Sequence, residues 1–392
     1  MTVTLYGCYA VWGWLLYSFN PSVPLLARDL GISDALAGLH GTAMAAGGLV
    51  AAFLAPRAVL WWGRRIAIVA GCGAVAVGVV GLVAGPSLPW TLSAMFVLAS
   101  GGNVLIASTQ VGLALHHGVT ASAAISEGNA VGSGIGLLGP LAVGAAVSIG
   151  WGWRAGVIVT AALAVAVAVL VERLPASQSL PRRAAPPVVH DEGAEITAGP
   201  ARWHRGAAAV LFLGAIVATI AVENATDYWS TALLIDRTGA GAGIAAAATA
   251  GLVAGMTVIR LIVGPMSLRV PPAYLLAGGF LLNVVGWAVV WTTTSTGVAL
   301  AGLVLSGLGL GVQYPLSIAL LLAASPGHSD RAQGDATMYG ALSVGVAPFL
   351  LGWLSDHVGM HTAFVAVPVF ALVGAVAAVA GGRALRPAAS HG

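Results

Sequence analysis

The sequence predicts an all-α integral membrane protein of about twelve transmembrane helices, arranged as two parallel six-helix repeats. A shortage of charge, a series of long apolar windows and an internal repeat lead to that reading. Hydrophobic residues make up 58% of the 392 and charged residues 7%, against roughly 25% charged in a soluble domain. Apolar windows close to the roughly 20 residues that cross a hydrocarbon core fall at approximately 4–26, 35–56, 66–86, 90–114, 125–149, 153–171, 208–234, 242–267, 273–292, 297–323, 335–355 and 361–382.

The repeat has an offset of about 208 residues. Leu26-Ala-Arg-Asp-Leu-Gly31 closes the first window and Leu234-Ile-Asp-Arg-Thr-Gly239 closes the seventh. At the same offset Gly47 maps onto Gly255, and Glu127, Gly132, Pro140 and Gly144 map onto Asp335, Gly340, Pro348 and Gly352. Glycine is abundant, so a single match carries little. A shared offset across several helix pairs, with an acidic and a proline position included, carries more. Six spans per repeat is an even number, so the halves run parallel, related by an axis along the membrane normal.

One long polar stretch interrupts the windows. It contains Pro175, Pro181, Pro186 and Pro187 with mixed charges and reads as a linker. The expected division is therefore an N-terminal half over 1–171, a cytoplasmic linker over 172–206 and a C-terminal half with a short tail over 207–392. The basic residues, all arginine, give the orientation. With both termini inside, twelve arginines lie in inner loops, linker and tail, against Arg28, Arg154 and Arg237 at outer ends, a positive-inside bias. The first window has no basic leader or small-residue cleavage site before Trp12 and Trp14, so it is expected to remain as a span. Cys8 and Cys72 lie in apolar segments and read as buried thiols. The net charge of +3 comes from loop arginines and gives no indication of nucleic-acid binding.

Several motifs resemble the major facilitator superfamily, over all of the chain except linker and tail. Pro24-Leu-Leu-Ala-Arg-Asp-Leu-Gly-Ile-Ser33, leading to Gly38, resembles the family's exit from its first helix. Gly63-Arg-Arg65 is similar to the end of its loop motif between helices two and three, with Leu60 where the family has a gate-latching Asp. Gly139-Pro140 followed by Gly144 resembles the fifth-helix motif of drug/proton antiporters, and Trp151-Gly-Trp-Arg154 the opening of the sixth helix. Glu223-Asn-Ala-Thr-Asp-Tyr-Trp-Ser230 is similar to a segment of the fucose-permease-like branch, with Asp227 one place early. The resemblance implies secondary active transport of a small solute by alternating access, in the cytoplasmic membrane, by a monomer. The Gly-Pro motif points to efflux; the Glu…Trp-Ser segment points to uptake of a small polar metabolite such as a sugar or carboxylate. Some members only sense a ligand.

Ionisable groups within apolar spans cost several kcal/mol each and are functional candidates by default. Glu223 and Asp227, spaced i and i+4 with Ser230 beyond, share a helix face. Two carboxylates that close disfavour double ionisation, so one is expected to hold and release a proton. The alternative is that Asp227 caps or snorkels near the outer surface while Glu223 pairs with a neighbouring helix. Arg260 lies roughly two turns from the inner end of the eighth span, and Glu127 opens the fifth. In the family these helices face each other, so an Arg260–Glu127 pair is expected to close an inner gate in the outward-facing state and break in the inward-facing one. The alternative partner is Asp335 of the same half as Arg260.

By the same resemblance the first, fourth, seventh and tenth helices line the cavity. The expected substrate contacts are Asn20, Asn103, Gln110, Gln313 and Tyr314, with Trp14 and Trp229 as walls. Interhelical hydrogen bonding is the competing role for each. Gly134-Ile-Gly-Leu-Leu-Gly139 matches a dinucleotide-type string but follows no strand, and no Walker loop is present. The nine histidines show no ligand spacing, so no metal or other cofactor is expected. The loops are too short and too poor in carboxylate, His or Cys clusters for an enzyme at the membrane face.

Overall fold

Each apolar window closes its backbone hydrogen bonds as a helix, which satisfies peptide groups where water does not reach. A computed structural model describes residues 1–117, 121–175, 177, 180, 206–267, 269–326 and 329–385. Most of the expected linker and the tail, with Arg182, Arg183, Arg202, Arg205 and Arg386, lie outside the described residues.

The helices are α1 (Thr2–Phe19), α2 (Asp34–Trp62), α3 (Arg64–Ala84), α4 (Leu88–His117), α5 (Ala121–Gly136, resumed as Leu138–Ser148), α6 (Trp153–Arg173), α7 (Ala207–Thr238), α8 (Ala242–Ser267), α9 (Pro272–Thr292), α10 (Thr296–Ala323), α11 (Ser329–Val358) and α12 (Ala366–Leu385). Among the described residues eleven helices are long and apolar enough to cross a membrane. α1 occupies the twelfth position. It is diluted by Tyr6, Tyr9, Trp12, Trp14 and Tyr17, and continues through a 3-10 turn, Asn20–Ser22, into the short helix Val23–Leu30.

Three expected continuous spans are broken, each near a proline. Pro21 lacks the N–H that would reach the Tyr17 carbonyl, and the chain tightens into the 3-10 turn there. Pro140 likewise leaves the Gly136 carbonyl without its helical donor, and α5 breaks at Leu137, four residues after Ser133. The twelfth window runs as Met360–Ala363 and then α12, with Pro368 unable to donate to the Phe364 carbonyl.

The 208-residue offset reappears as geometry. Gly31 (φ 62°) and Gly239 (φ 63°) end the first helix of each half in the left-handed conformation that favours glycine. Gly47 brings α2 against α4, where an added Cβ would lie 2.8 Å from the Phe96 carbonyl oxygen. Gly255 brings α8 against α10, where an added Cβ would lie 2.8 Å from the Leu308 nitrogen. Such close backbone approach is the usual work of small residues in membrane bundles.

Of the two arginines in Gly63-Arg-Arg65, Arg65 is buried and ties the start of α3 to the chain leaving α6. Its Nη1 donates to the carbonyls of Glu172 (3.1 Å) and Leu174 (2.7 Å), and its Nη2 to those of Pro175 (2.8 Å) and Leu180 (3.4 Å). An unmet buried polar group costs roughly 1–3 kcal/mol. Arg65→Ala is therefore expected to lower the melting temperature of the purified protein clearly. Arg65→Lys should recover only part, because an ammonium lacks the planar fork. An unchanged melting temperature in Arg65→Ala would show that this tie is unimportant.

Candidate functional site

α7 carries the charge that its sequence advertised. Asp227 is buried at 7% exposure and Glu223, one turn earlier, is half-buried. The break in α1 brings Asn20 beside Asp227. Tyr17, three residues before Asn20 and so on the same helix face, lies within electrostatic range of Glu223, Asp227 and Arg260. Arg260 is the charged neighbour of Glu223. Its Nε donates to the Gly311 carbonyl at 3.3 Å, which fixes the guanidinium against α10. Tyr314 of α10, 39% exposed, also lies near Glu223. A carboxylate pair, a guanidinium and two phenols thus converge where α1 of one half meets α7, α8 and α10 of the other.

Tyr17 was not singled out from the sequence. Its spacing from Asn20 was the available signal, but tyrosines are spread along all of α1. Packing places it firmly: its ring lies against Gly136, and an added Cβ at Gly139 would lie 3.1 Å from the Tyr17 carbonyl carbon.

Glu127 and Arg260 are not brought together. The Glu127 Oε2 accepts from the Tyr6 hydroxyl at 2.7 Å, within its own half, while the Arg260 Nε bonds the Gly311 carbonyl in the other. Helical rise placed both residues at a similar depth but left their azimuths open. Asp335 is half-buried near the start of α11.

The expected cavity contacts divide. Asn20 and Tyr314 lie at the Glu223–Asp227 site, and the half-buried Gln110 neighbours Tyr9 of α1. Asn103 bonds back to the Ala99 carbonyl (2.8 Å) and borders a cavity of about 600 Å3 between α2, α4 and Thr337 of α11. Two residues need correction, and a third also ties helices together. Trp229 is fully buried and donates to the Pro348 carbonyl at 2.9 Å. Gln313 is fully buried and reaches the Gly279 carbonyl at 3.4 Å. Trp14 donates to the Gly156 carbonyl at 3.1 Å. All three join helices within one half, the competing role for such residues; Trp229 and Gln313, fully buried, are not cavity walls in this structure, while Trp14 is only half-buried.

The halves meet in two seams related by the repeat, both on the face opposite the chain termini (the far face). In one, Gly144 of α5 packs on Gly243 and Ala247 of α8; in the other, Gly352 of α11 packs on Asp34 of α2. On the terminal face the 600 Å3 cavity is walled by α2 and α4 of the N-terminal half, with Thr337 of α11 at its edge. Within the N-terminal half, Asp29 at the end of the first helix's extension pairs with Arg154 and accepts from the Trp153 indole (2.9 Å). That contact accounts for the Trp-Arg pair opening α6.

Comparisons with known proteins agree with this architecture. The family model described as Major Facilitator Superfamily matches residues 5–248 and 211–391. No curated protein matches. Among solved structures, a bacterial homologue of the human lysosomal transporter Spinster, inward-facing and unoccupied, superposes with a TM-score of 0.80 at 17% identity, covering 98% of this chain and 96% of that one. The xylose transporter XylE from E. coli, in a partially occluded inward-open conformation, gives 0.74 at 13% identity, covering 97% and 95%. The nucleoside transporter NupG gives 0.76 at 11% identity, covering 97% of each chain.

Proposed function

The chain belongs to the major facilitator superfamily, and from that premise we propose that it exports a small organic solute in exchange for protons. Two six-helix halves, bounded as 1–171 and 207–392, rock about the Glu223–Asp227 centre. The protein is a multi-pass membrane transporter of small solutes; proton coupling, direction and the cytoplasmic membrane are the proposal. The arginine bias assigns the terminal face to the cytoplasm. The far-face seams then correspond to a carrier shut to the outside and open to the inside.

The observation that carries the proposal is the burial of Asp227 beside Glu223 at the crossing of the halves. A carboxylate there loses most of its hydration, and a second one beside it makes double ionisation unfavourable. A proton can settle the charge, and its binding is then linked to which face the centre opens towards. Export follows the Gly-Pro motif, whose Pro140 sits just past the α5 break.

The test is flux. Purified protein is screened by thermal shift against a panel of sugars, organic acids, amines and aromatic cations. Stabilising compounds are then followed in proteoliposomes with an imposed pH gradient. Solute movement against the direction of proton flow supports exchange. Movement with the protons would replace export by uptake symport of a small polar metabolite, the reading favoured by the Glu223–Ser230 segment. Binding without flux would mark a sensor.

A further inference from the structure

We infer that Asp356 is a gate-positioning residue: from the end of α11 it caps the N-terminus of α2 in the opposite half and so holds the far face shut. The first N–H groups of a helix have no partner within the helix. In α2 the orphan donors at Asp34, Ala35 and Leu36 are met in two ways. Ser33 supplies its Oγ to the Leu36 N–H (3.3 Å), and its carbonyl accepts the first regular helical bond, from Ala37 (3.0 Å). The remaining two are supplied by the other half of the molecule. Asp356 Oδ1 accepts from the Asp34 N–H and Asp356 Oδ2 from the Ala35 N–H, both at 2.9 Å.

Neighbouring contacts support the same closure. Ser355 donates to Asp34 Oδ2 at 2.9 Å, and Thr42 donates to the Gly345 carbonyl at 2.5 Å one stage along the seam. The acceptor is a carboxylate and the donors lie at the positive end of a 29-residue helix, so charge and dipole agree. Every one of these bonds must break for α2 and α11 to part.

The repeat shows that the device belongs to one seam. At the 208-residue offset Asp356 corresponds to Ser148, which instead bonds the Gly144 carbonyl of its own helix at 2.8 Å. The α5–α8 seam therefore closes on small-residue packing, and the α2–α11 seam adds a charged cap. Trp229 connects that seam to the centre. It lies two residues beyond Asp227, its indole holds the Pro348 carbonyl, and an added Cβ at Gly38 of α2 would lie 2.7 Å from that same oxygen. A shift of α7 at Asp227 is thereby passed to the surface on which α2 closes.

Cysteine accessibility tests this in detergent-purified full-length protein, with no substrate needed. Cys8 and Cys72 are both buried, so the background is low. Ser22→Cys places a buried thiol in the 3-10 turn packed on α7, beside the Asp227 centre and shielded while the far face is shut, and Ala107→Cys places one on the wall of the terminal-face cavity. In the Asp356→Ala background, Ser22→Cys should react with a charged maleimide at least about tenfold faster, and Ala107→Cys more slowly. Asp356→Asn keeps the shape but turns one acceptor into a donor aimed at an N–H, and should shift both rates the same way. It also serves if the alanine variant does not fold. Asp356→Glu should recover part of the original rates. Unchanged rates, or a rise at both positions, would overturn the assignment, the second because it signals general loosening.

Discussion

Asp227→Asn is expected to abolish proton-driven accumulation while leaving downhill movement of the solute. With one proton exchanged per solute, each unit of pH gradient supplies about 1.4 kcal/mol, enough to sustain roughly a tenfold solute gradient. The asparagine variant should fall to a ratio of about one. An amide has nearly the shape of a carboxylic acid and still faces Asn20, but it cannot carry a proton. Glu223→Gln should show the same loss if the two carboxylates work as a pair. It should retain accumulation if Glu223 serves only to balance Arg260. Steady-state solute ratios in proteoliposomes at several imposed gradients read this directly. A wild-type-like ratio in Asp227→Asn would remove Asp227 from the coupling.

The second large effect is expected at the seam glycines. At Gly38 the three nearest atoms to an added Cβ are the Pro348 oxygen (2.7 Å), the Phe349 Cα (2.8 Å) and the Phe349 nitrogen (2.9 Å). All are backbone atoms of the opposite half, which cannot swing aside as a side chain can. At Gly144 the neighbours are the Gly243 oxygen (2.5 Å) and the Ala247 Cβ (2.6 Å), again from the opposite half. Overpacking typically costs about 1–3 kcal/mol, and at these two sites the cost applies only while the far face is shut. Gly38→Leu and Gly144→Leu should therefore shift the balance between states about 5- to 150-fold towards the open far face. Turnover should fall steeply with little loss of thermal stability. Gly214→Leu, at a position with nothing within 4 Å, should transport normally. Equal loss in all three would show that bulk, not seam closure, is responsible.

Much of this architecture could be read from the sequence, for identifiable reasons. The offset linking Gly47 to Gly255 and Gly144 to Gly352 survives because helix-crossing points tolerate little beyond hydrogen, so both halves keep the same small residues at the same crossings. Glu223 and Asp227 stand out because a charge in an apolar helix is expensive. Trp229 and Gln313 were misplaced for a different reason. Periodicity assigns a face to each residue but does not say whether that face meets the cavity or a neighbouring helix. The 2.9 Å bond from Trp229 to the Pro348 carbonyl depends on how α7 crosses α11, which no local pattern encodes. Asp34 and Asp356 escaped attention because they sit at the ends of spans, where an acidic residue ordinarily means a solvated cap. Only the fold reveals that one caps the helix on which the other lies, across the division between the halves.

The central claim is that protonation at Glu223 and Asp227 sets which face of a two-half carrier is open. Distance measurements between paired spin labels test it most directly. One pair spans the far face, from α2 to α11 outside the seam contacts, and the other spans the terminal face, from α4 to α10. Acidification of the wild-type protein should move the two distances in opposite directions, and the Glu223→Gln/Asp227→Asn double variant should hold both constant. Distances independent of pH in the wild type, or an unchanged response in the double variant, would contradict the account.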